Sequence, residues 1–93
     1  MTIETTILDF QLSNTFEDYE SHMKAKERQA QFKDMGVKAF YIGRALDDPQ
    51  IETVIFQGSE NVLYDIFMNP ETKPIVEASG HIYESTKITR WIS

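Results

Sequence analysis

The chain contains no cysteine. That absence removes disulfides, thiolate metal sites and thiol nucleophiles together, and it agrees with a reducing compartment. Glycine and proline are scarce, 4 and 3 of 93 residues, so there is no Gly-rich phosphate cradle and no low-complexity linker. Histidine occurs only as His22 and His81. Two isolated imidazoles do not make a zinc ligand set, and no metal or organic cofactor is expected. No apolar run approaches the ~18 residues that span a bilayer, and the opening Met1-Thr2-Ile3-Glu4-Thr5-Thr6 reads as the start of a strand, not as a signal peptide. The expectation is a cytoplasmic protein with no membrane partner.

Positive charge is also short. Nine Lys and Arg face fifteen Asp and Glu, for a net charge of −6. A polyanion meets a repulsive average field, with few cations to release counterions. The cluster Lys24, Lys26, Arg28 and Lys33 shares its stretch with Glu27 and Asp34, which reads as a solvated helix face. Nucleic acid is not expected as a partner.

The residues present are those of a folded globule, 41% hydrophobic and 12% aromatic. A chain of this length is one domain, residues 1–93, and buries roughly 65% of its extended surface on folding. Residues 3–12 alternate as a strand, with Leu8, Phe10 and Leu12 on one side and Ile3, Thr5 and Ile7 on the other. Asn14 or Thr15 then caps a helix, which Gly36 ends. Its apolar stripe begins with Phe16, Tyr19 and Met23, with Ala30 in phase. Phe32 lies about 160° around from Phe16. Either the helix breaks or bulges within residues 24–28, or Phe32 faces a second partner.

Residues 37–46 and 50–57 predict a hairpin turned at Asp47-Asp48-Pro49, with a bulge at Gly43. Phe40 and Ile42 would share one face of its first strand, Ala39 and Tyr41 the other. Val54 and Phe56 oppose Ile51 and Ile55 on the second. Ser59 is the expected cap of a second helix, carrying Val62, Leu63, Ile66 and Phe67. Asn69-Pro70 interrupts it, and a short piece within 71–79 ends at Gly80. Residues 81–92 close the chain as a fourth strand, with Ile82, Ile88 and Ile92 on one face and Tyr83 and Trp91 on the other.

The order strand, helix, strand, strand, helix, strand is the ferredoxin-like βαββαβ arrangement. It is an α+β fold with a four-stranded antiparallel sheet and both helices on one face, set there by right-handed crossovers. The strands are apolar on both faces, so the uncovered face is expected to meet a second copy of the chain. The segments Phe16-Glu17-Asp18-Tyr19, Met35-Gly36-Val37 and Arg44-Ala45-Leu46-Asp47-Asp48-Pro49, with the ending Trp91-Ile92, resemble a small bacterial family of uncharacterised proteins within the dimeric α/β-barrel superfamily. The resemblance implies two sheets packed face to face in a homodimer. The wider superfamily includes cofactor-independent oxygenases, haem-handling enzymes, isomerases and proteins without known chemistry.

Candidate chemistry is sparse. His22 stacks between Asp18 and Lys26 at helical spacing; it is a base at the barrel mouth or, more plainly, an exposed member of a charge ladder. His81 follows Gly80 and either lines a cavity or serves as a turn histidine. Tyr41, Phe56, Tyr83 and Trp91 could line a flat hydrophobic ligand pocket, with Arg44 or Arg90 orienting an anion, although strand aromatics are more often core or interface. Two readings follow. One is a non-catalytic homodimer that holds at most a small hydrophobic ligand, and this is the expectation. The other is a cofactor-independent oxygenase or isomerase using His22 or His81. Haem binding is a third and requires an axial histidine. A cavity packed shut by Tyr41, Phe56 and Trp91 favours the module; a polar-tipped cavity with a histidine in its wall favours the enzyme.

Overall fold

The computed structural model describes residues 2–93. Four strands, β1 (Ile3–Gln11), β2 (Val37–Arg44), β3 (Ile51–Ser59) and β4 (Lys87–Ile92), form an antiparallel sheet in the order β2-β3-β1-β4. Helices α1 (Phe16–Lys24) and α2 (Lys26–Met35) connect β1 to β2. Helices α3 (Val62–Met68) and α4 (Lys73–Ala78) connect β3 to β4. This is the expected ferredoxin-like fold. Leu8, Phe10, Val54 and Phe56 project from the central strands into a core completed by Tyr19, Met23, Phe32 and Phe67.

The conflict at Phe32 is resolved by a break. Thr15 caps α1 by accepting from the Asp18 N–H (3.1 Å), and α1 stops at Ala25, whose backbone is extended (φ −60°, ψ 143°). The chain then starts α2 on a new axis. Phe32 is thereby buried, its ring edge-on to Phe56 at 5.4 Å. The Gln29 side chain reaches back to the Met23 carbonyl (2.6 Å) and satisfies an acceptor that the interrupted helix leaves open. Ala30, expected on the buried stripe, is exposed because the new axis carries it outward.

The hairpin forms as expected, but its bulge lies between Ala39 and Tyr41, not at Gly43. The extra residue, Phe40, shifts the alternation. Ala39 and Ile42 therefore lie opposite Phe56 and Val54 on the helix side, and Tyr41 lies opposite Ile55 on the open side. Gly43 has a different reason to be glycine: a Cβ there would sit 2.6 Å from the Tyr41 hydroxyl, so the bare backbone is what the ring folds over.

Three further expectations are corrected. Ser59 ends β3 and does not cap the second helix; that position belongs to Asn61, at φ 72°. Buried Glu4 holds Asn61 there, accepting its N–H (2.8 Å) together with Arg90 Nε (2.7 Å), Arg90 Nη2 (2.9 Å) and the Thr6 hydroxyl (2.8 Å). Residues 81–86 are not strand. His81 makes a single bridge to Leu12, and Tyr83–Ser85 form a 3-10 turn, so β4 is six residues long. Tyr83 therefore leaves the sheet and stacks on Phe67 (4.9 Å). The interruption at Asn69-Pro70 and the short α4 before Gly80 are as expected.

The break makes Phe32 a core residue of this chain and not an exposed one. Phe32→Ala should cost about 3 kcal/mol, the lower end for a buried phenylalanine because the residue borders open space. Urea unfolding followed by circular dichroism measures this; a loss within about 0.5 kcal/mol, the range of exposed sites, would place Phe32 outside the core.

Candidate functional site

The two connections do not close over the sheet completely. A cavity of about 350 Å³ remains between the helix side of the sheet and all four helices. Leu8 and Phe56 form its floor, and Met23, Phe32, Met35, Leu63, Ile66, Phe67, Ile75 and Val76 most of its walls. Polar groups lie at two levels. Tyr19, Ser79 and His81 are buried. Arg28, Gln31 and Asp34 come from α2, where Gln31 and Asp34 are exposed and Arg28 is half-buried, so they mark the rim. A largely apolar pocket of a few hundred Å³ with a few convergent polar groups is the usual form of a small-molecule site.

His81 reaches this cavity because of the turn before it. Gly80 takes φ 98°, and a Cβ there would run into the Asn14 side chain. Asn14 Nδ2 in turn donates to the Ser79 carbonyl (2.9 Å), and the Ser13 N–H donates to that of Gly80 (2.8 Å). The imidazole lies flat on Phe10, with centroids 3.6 Å apart and planes within 5°, and it also meets Phe67 at 5.7 Å. It is only 4% exposed. Burial in this apolar setting lowers its pKa to about 4. Hydrogen bonding fixes the tautomer. The Thr86 hydroxyl donates to the Tyr83 carbonyl (2.7 Å), so its oxygen accepts from His81 Nε2–H (2.6 Å). Nδ1 then carries the lone pair, and the ring is neutral at physiological pH.

Two other ionisable groups shape the interior. Burial raises the pKa of the Tyr19 hydroxyl, Glu52 adds to the rise, and Arg28 opposes it. Glu52 is 1% exposed, and neither of its carboxylate oxygens has a hydrogen-bond partner among the described residues. Burial, reinforced by Glu20, raises its pKa to about 8 against weaker pulls from the Thr53 backbone and Arg44. It is protonated at neutral pH. Glu4 is the opposite case: Arg90 above all, with Asn61 and Thr6, lowers its pKa to about 2.

The candidates singled out in the sequence are dispersed. His22 is exposed on α1. Tyr41 and Trp91 lie on the open side of the sheet, 53% and 61% exposed. Phe56 is on the helix side, in the cavity floor. Tyr83 lies beside Phe67, its hydroxyl donating to the Phe67 carbonyl (2.8 Å). Arg44 is exposed at the sheet edge, and Arg90 is engaged by Glu4. The four aromatics therefore do not line one pocket. Of all the candidates, only His81 and Phe56 line the cavity. Tyr19, Arg28 and Ser79 were missed; only the stripe position of Tyr19 signalled burial. Among the described residues, no group of three or more His, Asp or Glu is placed to hold a metal ion. No helix of the described residues is long and apolar enough to cross a membrane.

Residues 3–93 match the model of a family described as a domain of unknown function, DUF3764. No curated protein matches the sequence. Several solved structures share the fold. A Bordetella bronchiseptica protein provisionally named an antibiotic biosynthesis monooxygenase superposes with a TM-score of 0.67 at 14% identity, over 98% of this chain and 96% of its own. SnoaB, a cofactor-independent oxygenase from Streptomyces nogalater, gives 0.59 at 14% identity, over 100% and 92%. A dimeric ferredoxin-like protein from an uncultured marine organism gives 0.50 at 11% identity, over 99% and 86%. These likenesses establish the ferredoxin-like fold.

Glu52 and His81 act on stability in different pH windows. Glu52 keeps its proton in the folded chain between its ordinary 4.5 and about 8, whereas the unfolded chain gives it up, so stability falls as pH rises through that range. His81 is the converse. The unfolded chain gains a proton below 6.5 and the folded chain only below about 4, so its contribution is lost as pH falls through that range. Glu52→Gln should therefore stabilise the protein by of order 3 kcal/mol at pH 8 and by far less at pH 5. Unfolding curves at the two pH values test this; an effect of Glu52→Gln that does not change with pH would mean that Glu52 is ionised in the fold.

Proposed function

The chain belongs to the DUF3764 family, and from the geometry of its cavity we propose that it is a small-molecule enzyme of the cofactor-independent oxygenase type, acting on a flat, hydroxyl-bearing aromatic compound. The observation that carries this reading is the neutral His81 in the cavity wall, its Nε2–H committed to Thr86 and its Nδ1 left as acceptor. Two proteins of similar fold, one named a cofactor-independent oxygenase and the other provisionally a monooxygenase, support it. In such a reaction the substrate supplies the electrons and dioxygen takes them. What remains for the protein is to exclude water, orient the ring and accept a proton. A substrate hydroxyl donates to Nδ1 and passes its proton there. The oxyanion left behind stabilises the imidazolium and so offsets the depressed basicity of the ring. The apolar walls hold the aromatic plane, and the oxyanion is then the electron donor to dioxygen. One oxygen atom forms the new bond to a ring carbon, and the other leaves as water with two substrate hydrogens. The ring is left as a quinone, so that naphthohydroquinone and dioxygen give hydroxynaphthoquinone and water.

Naphthohydroquinone is a suitable probe, since an engineered cavity of about 150 Å³ already holds benzene. Oxygen uptake should exceed the spontaneous rate, and His81→Gln should reduce the excess by about 100-fold, the usual contribution of a positioned proton acceptor. Binding without accelerated uptake would return the chain to the expected non-catalytic module.

The open side of the sheet carries Ile3, Ile7, Ile51, Ile55, Tyr41 and Trp91 among polar neighbours such as Thr5 and Gln57, which hydrogen-bond to each other there. In our reading this face meets a second copy of the chain, as the neighbour named a dimeric ferredoxin-like protein suggests. It lies on the opposite side of the sheet from the cavity, so association leaves the cavity mouth free. Sedimentation equilibrium at micromolar concentration should give twice the chain mass, and Ile7→Glu should give the monomer. A wild-type monomer at that concentration would rule the interface out.

A further inference from the structure

The rim of the cavity carries a cation without a counter-ion. Arg28 lies on α2, lines the cavity and is half-buried. Arg90 and Lys73 are each paired with a carboxylate, Arg90 with Glu4 and Lys73 with Glu84, and Lys24 is paired with Glu20. Among the described residues, Arg28 makes neither an ion pair nor a hydrogen bond, although the chain has six more acids than bases. Its charge nevertheless acts inside the site, where it opposes the rise in the Tyr19 hydroxyl pKa. A guanidinium against an apolar wall, partly out of water, gains most from an acceptor that reaches it from the cavity side. Asp34, also on the rim, is exposed and does not supply that acceptor.

We propose that Arg28 selects an anionic ligand, so that the compound taken by the cavity is an aromatic carboxylate or comparable acid, held by its anion at Arg28 on the rim and by its hydroxyl at His81 inside. The assignment rests on the cavity being the ligand site. It adds the chemical class of the ligand and the end by which it enters: apolar ring first, anion last. Arg28 is thus a specificity residue. The planar fork of its guanidinium suits the two oxygens of a carboxylate, which the point charge of a lysine matches less well. Asp34 works against the anion and limits its affinity.

The test uses two ring systems that differ by one group, β-naphthol and a hydroxynaphthoate with hydroxyl and carboxylate on opposite rings, titrated into the full chain by fluorescence. The hydroxynaphthoate should bind at least about tenfold more tightly than β-naphthol, with a preference that shrinks as salt is raised. Arg28→Gln should abolish the preference, Arg28→Lys should retain part of it, and Asp34→Asn should increase it. β-Naphthol, which lacks the anion, reports whether the cavity survives each substitution. Equal affinity for the two probes, or a preference that persists in Arg28→Gln, would overturn the role of Arg28 while leaving the cavity a ligand site. Failure of the wild type to bind either probe would overturn this assignment together with the proposed function.

Discussion

One backbone decision, the extended conformation of Ala25, underlies the arrangement of the whole helix layer. A straight helix from Phe16 to Met35 could bury Tyr19 and Met23 or Phe32, but not all three on one face, because 3.6 residues per turn carries Phe32 to the far side. Interrupting the helix costs backbone hydrogen bonds, and the Gln29 side chain restores one of them at the Met23 carbonyl. In return Phe32 enters the core against Phe56. The new axis of α2 also brings Phe32 and Met35 to the cavity wall and Arg28 and Gln31 to its rim. Without the break, the cation and the cavity would not belong to the same site.

The interior contains two buried glutamates and treats them in opposite ways. Glu4 has four donors around its carboxylate, from Arg90, Asn61 and Thr6, and is ionised. It serves as a fastener, tying the end of β4 to the turn that starts α3. Glu52, on the neighbouring strand β3, has no carboxylate hydrogen-bond partner among the described residues, and burial outweighs the weaker pulls of the Thr53 backbone and Arg44, so it keeps its proton. A carboxylate so buried must be either fully satisfied or neutral, since an unpaired charge in a low-dielectric interior costs far more than protonation at neutral pH. His81 follows the same rule from the basic side. Among the described residues, the buried polar groups of the cavity, Tyr19, Ser79 and His81, are uncharged, and its formal charges, Arg28 and Asp34, lie at the rim. On the proposed assignment, that arrangement suits a ligand that is apolar and hydroxylated at one end and anionic at the end that meets Arg28.

Much of this fold was legible in the sequence, and the exceptions have identifiable causes. Alternation in residues 3–12 and 51–57 gave the faces of β1 and β3 correctly, because those central strands are regular. In β2 the bulge at Phe40 reversed the alternation, and no residue there announces it; Gly43 attracted attention for the wrong reason, being the seat of the Tyr41 ring. The phase of Phe32 pointed either to a break or bulge in the helix or to a second partner, and could not choose between them, because Lys24-Ala25-Lys26-Glu27 contains only helix-forming residues and local propensity opposes what tertiary packing enforces. The site was less legible still. Ligand aromatics were sought on the strands, but the cavity lies between layers, and its membership depends on the angle between α2 and α3, which periodicity does not encode. Arg28 looked like one member of a solvated basic face, and only the bend distinguishes it from Lys26 and Lys33.

If the open side forms the proposed interface, the two sides of the sheet have separate tasks. On the proposed association the open side would present Tyr41, Trp91 and the isoleucines to a second copy, while the helix side holds the cavity. The side chains of β1 alternate between them: Leu8 is in the cavity floor, while Ile7 and Asp9 on either side of it point to the open face. A strand with period two can carry two independent selections on adjacent residues. Changes in the ligand then fall on the helices and the rim, where α2, α3 and α4 can shift or exchange side chains without disturbing the strand register on which association depends. On this argument chemistry can vary while the assembly is retained, because it resides in the loosest layer of the fold, between short helices whose packing leaves about 350 Å³ unfilled.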